Sequence, residues 1–435
     1  MNKEKRMLQK QDYVLGVQHL LAMFGATVLV PLLTGLSPAT ALFTAGLGTL
    51  IFHLCTKGEV PVFLGSSFAF IPAICAIVGG KAGNIPYAQG GIIFAGAVYL
   101  VFALIVKFVG SNGIRYLFPP CVTGPVIIII GLSLTGTAIN DSFGFVPGNP
   151  SFSMATLTNA CIAIVSFAIM AIAMNMKKGF LKLIPILLAI VIGYLLCVVM
   201  SLVGLYKMDF SPIANAPWIN IPFKTEGFLS LPKFRLDAIV MIAPVALVTF
   251  MEHIGDITTN GAVVGKDFFK NPGLHRTLMG DGLATMLAGF LGGPANTTYS
   301  ENTGVLATTR NYNPAILRLA AVFAVILGLF GKFGAILQTI PGPVKGGIEL
   351  MLFGMIAAIG IRTIVESKLD VTSNRNLSVM AGTLCTGLGL GAIGGIPITI
   401  GSVTLNFSAL FIATLVGVIL NQVLPGKQNE ISKIL

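Results

Sequence analysis

Long apolar runs recur from one end of this sequence to the other and limit what the chain can fold into. Each run has about 18 to 22 residues, which as a helix is long enough to cross a hydrocarbon layer of roughly 30 Å. The composition agrees, because 55% of the 435 residues are hydrophobic and only 10% are charged. A soluble domain usually carries about 25% charged residues. The sequence therefore predicts an all-α polytopic membrane protein.

Proline, glycine and charged residues divide the runs into about fourteen predicted transmembrane segments. If the N-terminus is cytoplasmic, the inner loops hold all but seven of the 27 Lys and Arg residues, the exceptions being Lys81, Lys207, Lys224, Lys233, Arg235, Lys332 and Lys345. The excess of positive charge on one side predicts that both termini are cytoplasmic. The formal charge of +11 is explained by this topology, so nucleic acid is not an expected partner.

The two halves of the sequence resemble each other weakly. At one common offset, His19 aligns with His253 and Ser66 aligns with Ser300. Each half would hold seven segments, an odd number, so the halves would have opposite orientations in the membrane. This pattern predicts a seven-plus-seven inverted repeat, the architecture of many secondary transporters.

Polar stretches interrupt the third and tenth predicted segments. The tenth contains PANTTYSENTGV (294–305), and the third contains LGSSFAF (64–70). Non-helical backbone at membrane depth is tolerated only where it lines a cavity or is buried in protein. Transporters place broken helices at matching positions of their two halves, around the substrate. The two interruptions therefore predict one central binding site.

Acidic residues inside predicted segments need a reason, because each costs at least about 2.5 to 3.5 kcal/mol to insert. Glu252 and Glu301 are the predicted site residues. Asp256, one helical turn after Glu252, is predicted either to relay a proton or to hold helices together. A coupling role and a packing role are equally open for Asp281, and His19 is a further candidate for proton coupling.

The residue types around the interruptions indicate the chemistry of the ligand. Carboxylates accept hydrogen bonds from N–H donors, and a helix N-terminus offers N–H groups to a carbonyl. A flat ring with both N–H and C=O groups suits this set, and Phe68 and Phe353 would either pack or stack on it. Glu349 would face the other domain or line the pathway. A strongly anionic ligand is not expected.

Five segments carry a resemblance to a known family: VQHLLAMFGATVLVP (17–31), VPVFLGSSFAFIPA (60–73), MEHIGD (251–256), NPGLHRTLMGDGLATMLAGFLGGPANTTYSENTGV (271–305) and GIRTIVESKLD (360–370). They resemble the nucleobase:cation symporters, also called nucleobase–ascorbate transporters, and within that family the bacterial uracil permeases. The similarity covers nearly the whole chain, and the TTYSEN block is highly specific.

The resemblance implies fourteen transmembrane segments in an inverted repeat, with short antiparallel strands in segments 3 and 10. Segments 1–4 and 8–11 would form a core domain (residues 1–112 and 234–335). Segments 5–7 and 12–14 would form a gate domain (residues 113–233 and 336–435, with the C-terminal tail). It also implies a homodimer formed through the gate domain, in the lipid of the bacterial cytoplasmic membrane.

The resemblance also implies the site and the activity, which is import of uracil with a proton by alternating access. The substrate contacts would be Glu252, Glu301, Phe68, Ser300, Tyr299 and Phe353, with the backbone amides of Phe68 and Ser300 as donors. The proton-coupling candidates are Asp256, Asp281 and His19. No cofactor or metal is expected, Na⁺ remains open as the coupling ion, and no catalytic constellation suggests an enzyme.

Three positions depart from the pattern of the best-known uracil permease. That protein has His where this chain has Asp256, Asn where it has Asp281 and Tyr where it has Phe353. The two aspartates look like those of purine-transporting relatives, so a xanthine or urate permease is an alternative. Xanthine-type relatives carry Gln at the Glu301 position, which favours uracil. An anion transporter of the same fold is a weaker alternative, because two carboxylates do not suit an anion.

Overall fold

The chain folds mainly into helices, and the computed structural model describes residues 9–110, 118–146, 150–177, 179–219, 231–400 and 403–425. The helices, numbered here in chain order, are α1 (Lys10–Thr34), α2 (Pro38–Cys55), α3 (Ile71–Val78), α4 (Ile85–Val109), α5 (Pro120–Ser133), α6 (Thr135–Phe143), α7 (Met154–Met174), α8 (Pro185–Leu202), α9 (Ser211–Asn215), α10 (Leu236–Ile242), α11 (Ala246–Val264), α12 (Leu274–Leu291), α13 (Ser300–Thr309), α14 (Pro314–Gly328), α15 (Gly331–Gln338), α16 (Gly342–Glu366), α17 (Asn374–Ala392) and α18 (Ala409–Val423). The strands are β1 (Leu64–Ser66), β2 (Asn296–Thr298), β3 (Ile396–Ile400) and β4 (Val403–Phe407). Single helical turns lie at Phe68–Phe70, Ala82–Asn84, Phe180–Leu183, Ala243–Val245 and Phe269–Gly273.

The apolar runs become helices because a helix satisfies its own backbone hydrogen bonds where water is absent. Within the described ranges, eight segments are long and apolar enough to cross a membrane: Lys10–Thr34, Pro38–Cys55, Ala82–Phe108, Pro120–Phe143, Met154–Met174, Pro185–Leu202, Leu236–Val264 and Gly342–Glu366. Shorter apolar helices lie at Phe68–Val78, Pro314–Gly328 and Ala409–Val423. A polytopic helical architecture is confirmed, while the number fourteen and the inverted repeat stay predictions.

The outward faces of several long helices carry apolar side chains. Leu104 of α4, Ile164 of α7 and Leu195 of α8 are all more than half exposed. Such faces would favour aggregation in water but are stable against lipid. Lipid is therefore the expected surroundings of these faces.

Helices pack in two neighbouring sets. In one, α12 lies between α2 and α4, and α14 packs against α1 and α2. One close approach joins Gly96 of α4 to Gly282 of α12, where a Cβ on either residue would lie within 2.9 Å of the other's carbonyl oxygen. In the other set, α16 packs against α5, α6 and α7, and α17 packs against α5 and α18. Small residues at such crossings let helix backbones come together.

Strands β1 and β2 pair antiparallel, as expected for the two polar interruptions. The register pairs Leu64 with Thr298, Gly65 with Thr297 and Ser66 with Asn296. A two-stranded ribbon leaves backbone N–H and C=O groups unpaired along its two edges, and within a membrane these groups need hydrogen-bond partners. Side chains supply them: the Thr49 hydroxyl accepts from the Leu64 N–H at 2.9 Å, and the Thr285 hydroxyl donates to the Asn296 carbonyl at 2.9 Å.

A second hairpin, β3–β4, was not predicted from the sequence. It joins α17 to α18, with Ile396 opposite Phe407 and Ile400 opposite Val403. The stretch IPITI is rich in β-branched residues and follows Gly394 and Gly395, which is a signal for a strand.

Candidate functional site

The two polar interruptions each place a strand directly before a helix. The Ser67 N–H donates to Ala295 O at 2.9 Å, and the Tyr299 N–H donates to Phe63 O at 3.0 Å. The next residues, Phe68 and Ser300, each begin a helical segment. The first N–H groups of a helix have no intrahelical acceptor and can bind a ligand. The positions of both predicted amide donors therefore suit that role.

Three carboxylates lie close to the second of these helix starts, at Ser300. Glu252 and Asp256 are one turn apart on α11, and Glu301 is in the first turn of α13. Glu252 interacts electrostatically with Asp256, Glu301 and, more weakly, Asp281. All three of Glu252, Asp256 and Glu301 are partly exposed, although the neighbouring Met251 and His253 are buried. This pattern is expected of side chains that line a solvent-accessible cavity.

Asp256 links α11 to the second interruption. Its Oδ2 accepts a hydrogen bond from Thr298 Oγ1 at 2.7 Å, and its Oδ1 accepts one from Ser300 Oγ at 2.7 Å. Both bonds are short, as hydrogen bonds to a carboxylate are. The carboxylate thus fixes the end of β2 and the start of α13, where the Ser300 amide lies. This contact supports the interpretation that Asp256 holds helices together, and its role in proton coupling stays a prediction.

Asp281 pairs with His253 rather than with the carboxylates of the cavity. His253 Nδ1 lies 2.8 Å from Asp281 Oδ2, and both residues are fully buried. His253 Nε2 lies 2.9 Å from Thr277 Oγ1, whose hydroxyl donates to Leu274 O. Thr277 must then accept from Nε2, so one further proton is shared between His253 and Asp281. The pair ties α11 to α12, and a coupling role for Asp281 stays a prediction.

Tyr299 and His19 are buried beside the strands. The Tyr299 hydroxyl donates to Ser66 O at 2.8 Å, so in this structure it supports β1. Its ring packs on Gly65, where a Cβ would lie 2.4 Å from the ring atoms. His19 contacts Asn302, whose side-chain amide donates to His19 O at 3.0 Å and lies 3.1 Å from Nδ1. Neither side chain forms a direct hydrogen bond to any of the three carboxylates. The predicted roles of Tyr299 in substrate binding and of His19 in proton coupling stay predictions.

Phe68 and Phe353 form an aromatic contact between the first interruption and α16. Their ring centroids are 6.4 Å apart and the planes are inclined by 76°, an edge-to-face arrangement. Phe353 is fully buried, whereas Phe68 is partly exposed. The structure therefore leaves Phe68 partly exposed and packs the buried Phe353 against it, and the roles of both rings in substrate binding stay predictions.

The assembled site suits a neutral polar ligand. It combines carboxylate acceptors, two helix starts whose first N–H groups have no acceptor within the helix, and an aromatic ring. Among the described residues, no group of three His, Cys, Asp or Glu side chains could hold a metal ion. A separate cavity of about 460 Å³ between α1, α8, α14 and α15 is lined almost entirely by apolar side chains such as Phe24 and Leu337, so it does not suit such a ligand.

Comparisons with known proteins agree with this arrangement. Residues 10–396 match a family model described as a permease family. The chain belongs to this permease family. A probable uracil permease of Pasteurella multocida is 44% identical over 425 residues, covering 97% of this chain and 95% of the relative. The uracil permease of Bacillus caldolyticus is 43% identical, with 96% and 93% covered.

Membership of the permease family confirms the resemblance seen in the sequence and makes this chain a multi-pass membrane transporter, not an enzyme. The fold is also similar to the solved transmembrane domain of a cyanobacterial bicarbonate transporter, BicA. That structure superposes with a TM-score of 0.63 at 14% identity, covering 95% of this chain and 97% of the other. An identity this low shows a common fold alone.

Several residues at the site were not singled out from the sequence. Thr298 and Asn302 were seen only as part of the polar block, and Thr277 and Asn260 were not considered. Asn260 donates to Pro61 O at 3.0 Å and to Thr303 Oγ1 at 3.1 Å, and so joins α11 to the second interruption and to the chain just before the first. The signal was present, since a buried amide at membrane depth requires partners, but its partners are distant in sequence.

Proposed function

We propose that this permease imports uracil together with a proton. The observation that carries the proposal is the position of Glu252 and Glu301, which are partly exposed and interact with each other, with Glu301 in the first turn of α13. The names of its relatives support the choice of ligand, since proteins 44% and 43% identical are described as uracil permeases.

Uracil has two ring N–H groups and two carbonyl oxygens. Glu252 and Glu301 accept hydrogen bonds from the N–H groups, and the amides of Phe68 and Ser300 donate to the carbonyls. The ring of Phe68 stacks on the flat ligand, with Phe353 and Tyr299 completing the walls. A ligand whose donors and acceptors are all matched is favoured over an analogue that leaves a buried polar group unpaired.

Transport follows from movement of one domain against the other. Fourteen segments in an inverted repeat form the core (1–112 and 234–335) and the gate (113–233 and 336–435), and the site opens alternately to each side. Asp256 or Glu301 holds the coupled proton, with Asp281 and His19 as further candidates and Na⁺ as the alternative coupling ion. The protein is a homodimer through the gate in the bacterial inner membrane, with both termini cytoplasmic.

A purine permease of the xanthine or urate type is the second candidate. It is favoured by Asp256 and Asp281, which resemble the purine-transporting relatives. Asp256 also accepts a hydrogen bond from the Ser300 hydroxyl, and the amide of Ser300 is one of the proposed substrate donors. Competition by unlabelled xanthine and urate against labelled uracil separates the two candidates.

Uptake by cells that lack their own permeases tests the proposal. Glu301→Gln replaces an acceptor by a group that also presents N–H, so uptake of labelled uracil should fall about 10- to 100-fold. That range corresponds to the roughly 1.5 to 3 kcal/mol of a hydrogen bond to a charged group. Glu366→Gln is the matched control, since Glu366 is exposed and pairs with Arg362 at the end of α16. Wild-type uptake by Glu301→Gln would refute the site, and uptake insensitive to a protonophore would refute proton coupling.

A further inference from the structure

A second group of buried polar side chains lies where α16 packs against α6 and α7. Glu349 of α16 is fully buried, and neither carboxylate oxygen has a hydrogen-bond partner in the part of the chain that the structure describes. Ser142 of α6 is also buried with its hydroxyl unpartnered there, and it packs against Gly346. Buried polar atoms without partners are rare in native proteins, so each needs an explanation.

Glu349 stands between an ion pair and the aromatic wall of the candidate site. Lys345 and Phe353 are four residues before and after it, so the three side chains follow one face of α16. Lys345 Nζ lies 3.6 Å from Asp141 Oδ2 of α6, and both side chains are partly exposed. Phe353 contacts Phe68 at the cavity. The face therefore runs from water-accessible charges to the substrate site.

The charges around Glu349 do not balance if it is ionised. Asp141 and Lys345 are the charged groups that act on it. The described helices α5 to α8, which pack against α16, add no further charged side chain. Helix α17, which packs against α5, adds Arg375 at its start, and Arg375 is bound to the carbonyl and side chain of Asn421 in α18. Their other titratable groups are the thiols of Cys121, Cys161, Cys197 and Cys385 and the hydroxyl of Tyr194.

Among the described residues, the Lys345 ammonium is thus the one nearby positive charge for the two carboxylates of Asp141 and Glu349, and Asp141 already contacts it. An ionised carboxylate that is buried without hydrogen bonds costs several kcal/mol, whereas the neutral acid avoids most of this cost. Asp141 and Lys345 connect the position to water, so a proton can reach it and leave it. We propose that Glu349 is a proton-binding site of this transporter, separate from the carboxylates that contact the substrate.

The proton on Glu349 is exchanged when α16 moves during transport. In the packed state described here Glu349 carries the proton, and separation of α16 from α6 lets it ionise beside Lys345. On ionisation the O–H bond of the Glu349 carboxylic acid breaks and a water molecule takes up the proton, and the reverse transfer re-forms that bond. This inference rests on the proposed proton coupling and adds a proton-binding group in the gate.

Purified full-length protein in lipid vesicles provides the test. We expect Glu349→Gln to keep exchange of labelled uracil across the membrane within about threefold of wild type, because exchange requires no net proton movement. Accumulation driven by a pH gradient should fall at least tenfold, and the proton influx per uracil, read with an internal pH dye, should fall by half or more. Glu349→Asp should restore part of both, and Glu366→Gln should change neither.

Infrared spectroscopy gives a readout that does not depend on transport. The C=O stretch of a protonated carboxyl should appear in the difference spectrum between the wild type and Glu349→Gln, and it should be lost from that difference at alkaline pH. If Glu349→Gln does not fold, Lys345→Gln tests the same point: removal of the cation should move the midpoint of the uptake–pH profile to higher pH.

The possible failures are distinct. Wild-type vesicles without uracil-dependent proton influx would overturn the proposed function. Coupled influx in the wild type that Glu349→Gln leaves unchanged, an unchanged carboxyl band, or an unchanged or acid-shifted profile in Lys345→Gln would overturn the assignment of Glu349 alone.

Discussion

The two hydrogen bonds of Asp256 allow a quantitative test of how the binding site is held together. Asp256 accepts from Thr298 Oγ1 and from Ser300 Oγ, each at 2.7 Å. A hydrogen bond to a charged group is worth about 1.5 to 3 kcal/mol in proteins. Neutral side-chain hydrogen bonds within membranes average only about 0.6 kcal/mol. Since Asp256 is partly exposed, we expect about 1 to 2 kcal/mol for each of its bonds.

Double-mutant cycles isolate these energies. Asp256→Asn is combined in one cycle with Thr298→Val and in a second with Ser300→Ala, and the free energy of unfolding is measured in mixed detergent micelles. Each cycle should give a coupling energy of about 1 to 2 kcal/mol. Asp256→Asn should also weaken uracil binding about tenfold, because the Ser300 amide is no longer held in place, and 1.4 kcal/mol corresponds to a factor of ten.

Coupling energies within about 0.5 kcal/mol of zero in both cycles would refute the reasoning, because independent sites are additive to that extent. Thr308→Val in place of Thr298→Val serves as the control. Thr308 is exposed and donates to Gly304 O within its own helix, so it should not couple to Asp256. An unchanged proton-to-uracil ratio in Asp256→Asn would further show that Asp256 is not the proton carrier.

Two further predictions concern the supports of the site. Gly65→Ala should destabilise the protein by at least about 1 to 3 kcal/mol and reduce uptake more than tenfold, because the added Cβ would lie 2.4 Å from the Tyr299 ring and 2.6 Å from Thr27 Oγ1. Gly83→Ala, where no atom lies within 4 Å of the new Cβ, is the control, and equal effects of the two variants on thermal stability would contradict the prediction. His253→Leu should cost about 3 to 5 kcal/mol, because it leaves Asp281 buried and unpaired, and adding Asp281→Asn should recover part of the loss. A double variant less stable than His253→Leu in thermal unfolding by size-exclusion chromatography would argue against a buried ion pair.

Much of the candidate site could be anticipated from residue types alone. Glu252, Asp256 and Glu301 were identified because carboxylates are rare at membrane depth, and the structure brings all three together. The pairing of the two interruptions was likewise expected and is observed. The partners were not predictable: Asp256 contacts Thr298 and Ser300, which lie more than forty positions along the chain, and only the structure shows these contacts.

The sequence by itself determined the membrane setting, the family and the position of the polar interruptions. These depend on the length and composition of contiguous stretches, and lipid acts on such stretches directly. The tertiary structure alone decided which polar atoms meet. It paired His253 with Asp281, closed the edges of β1 and β2 with Thr49 and Thr285, and left Glu349 without a partner among the described residues. Hydrogen bonds need atoms within about 3 Å, and only the packing of distant helices sets distances on that scale.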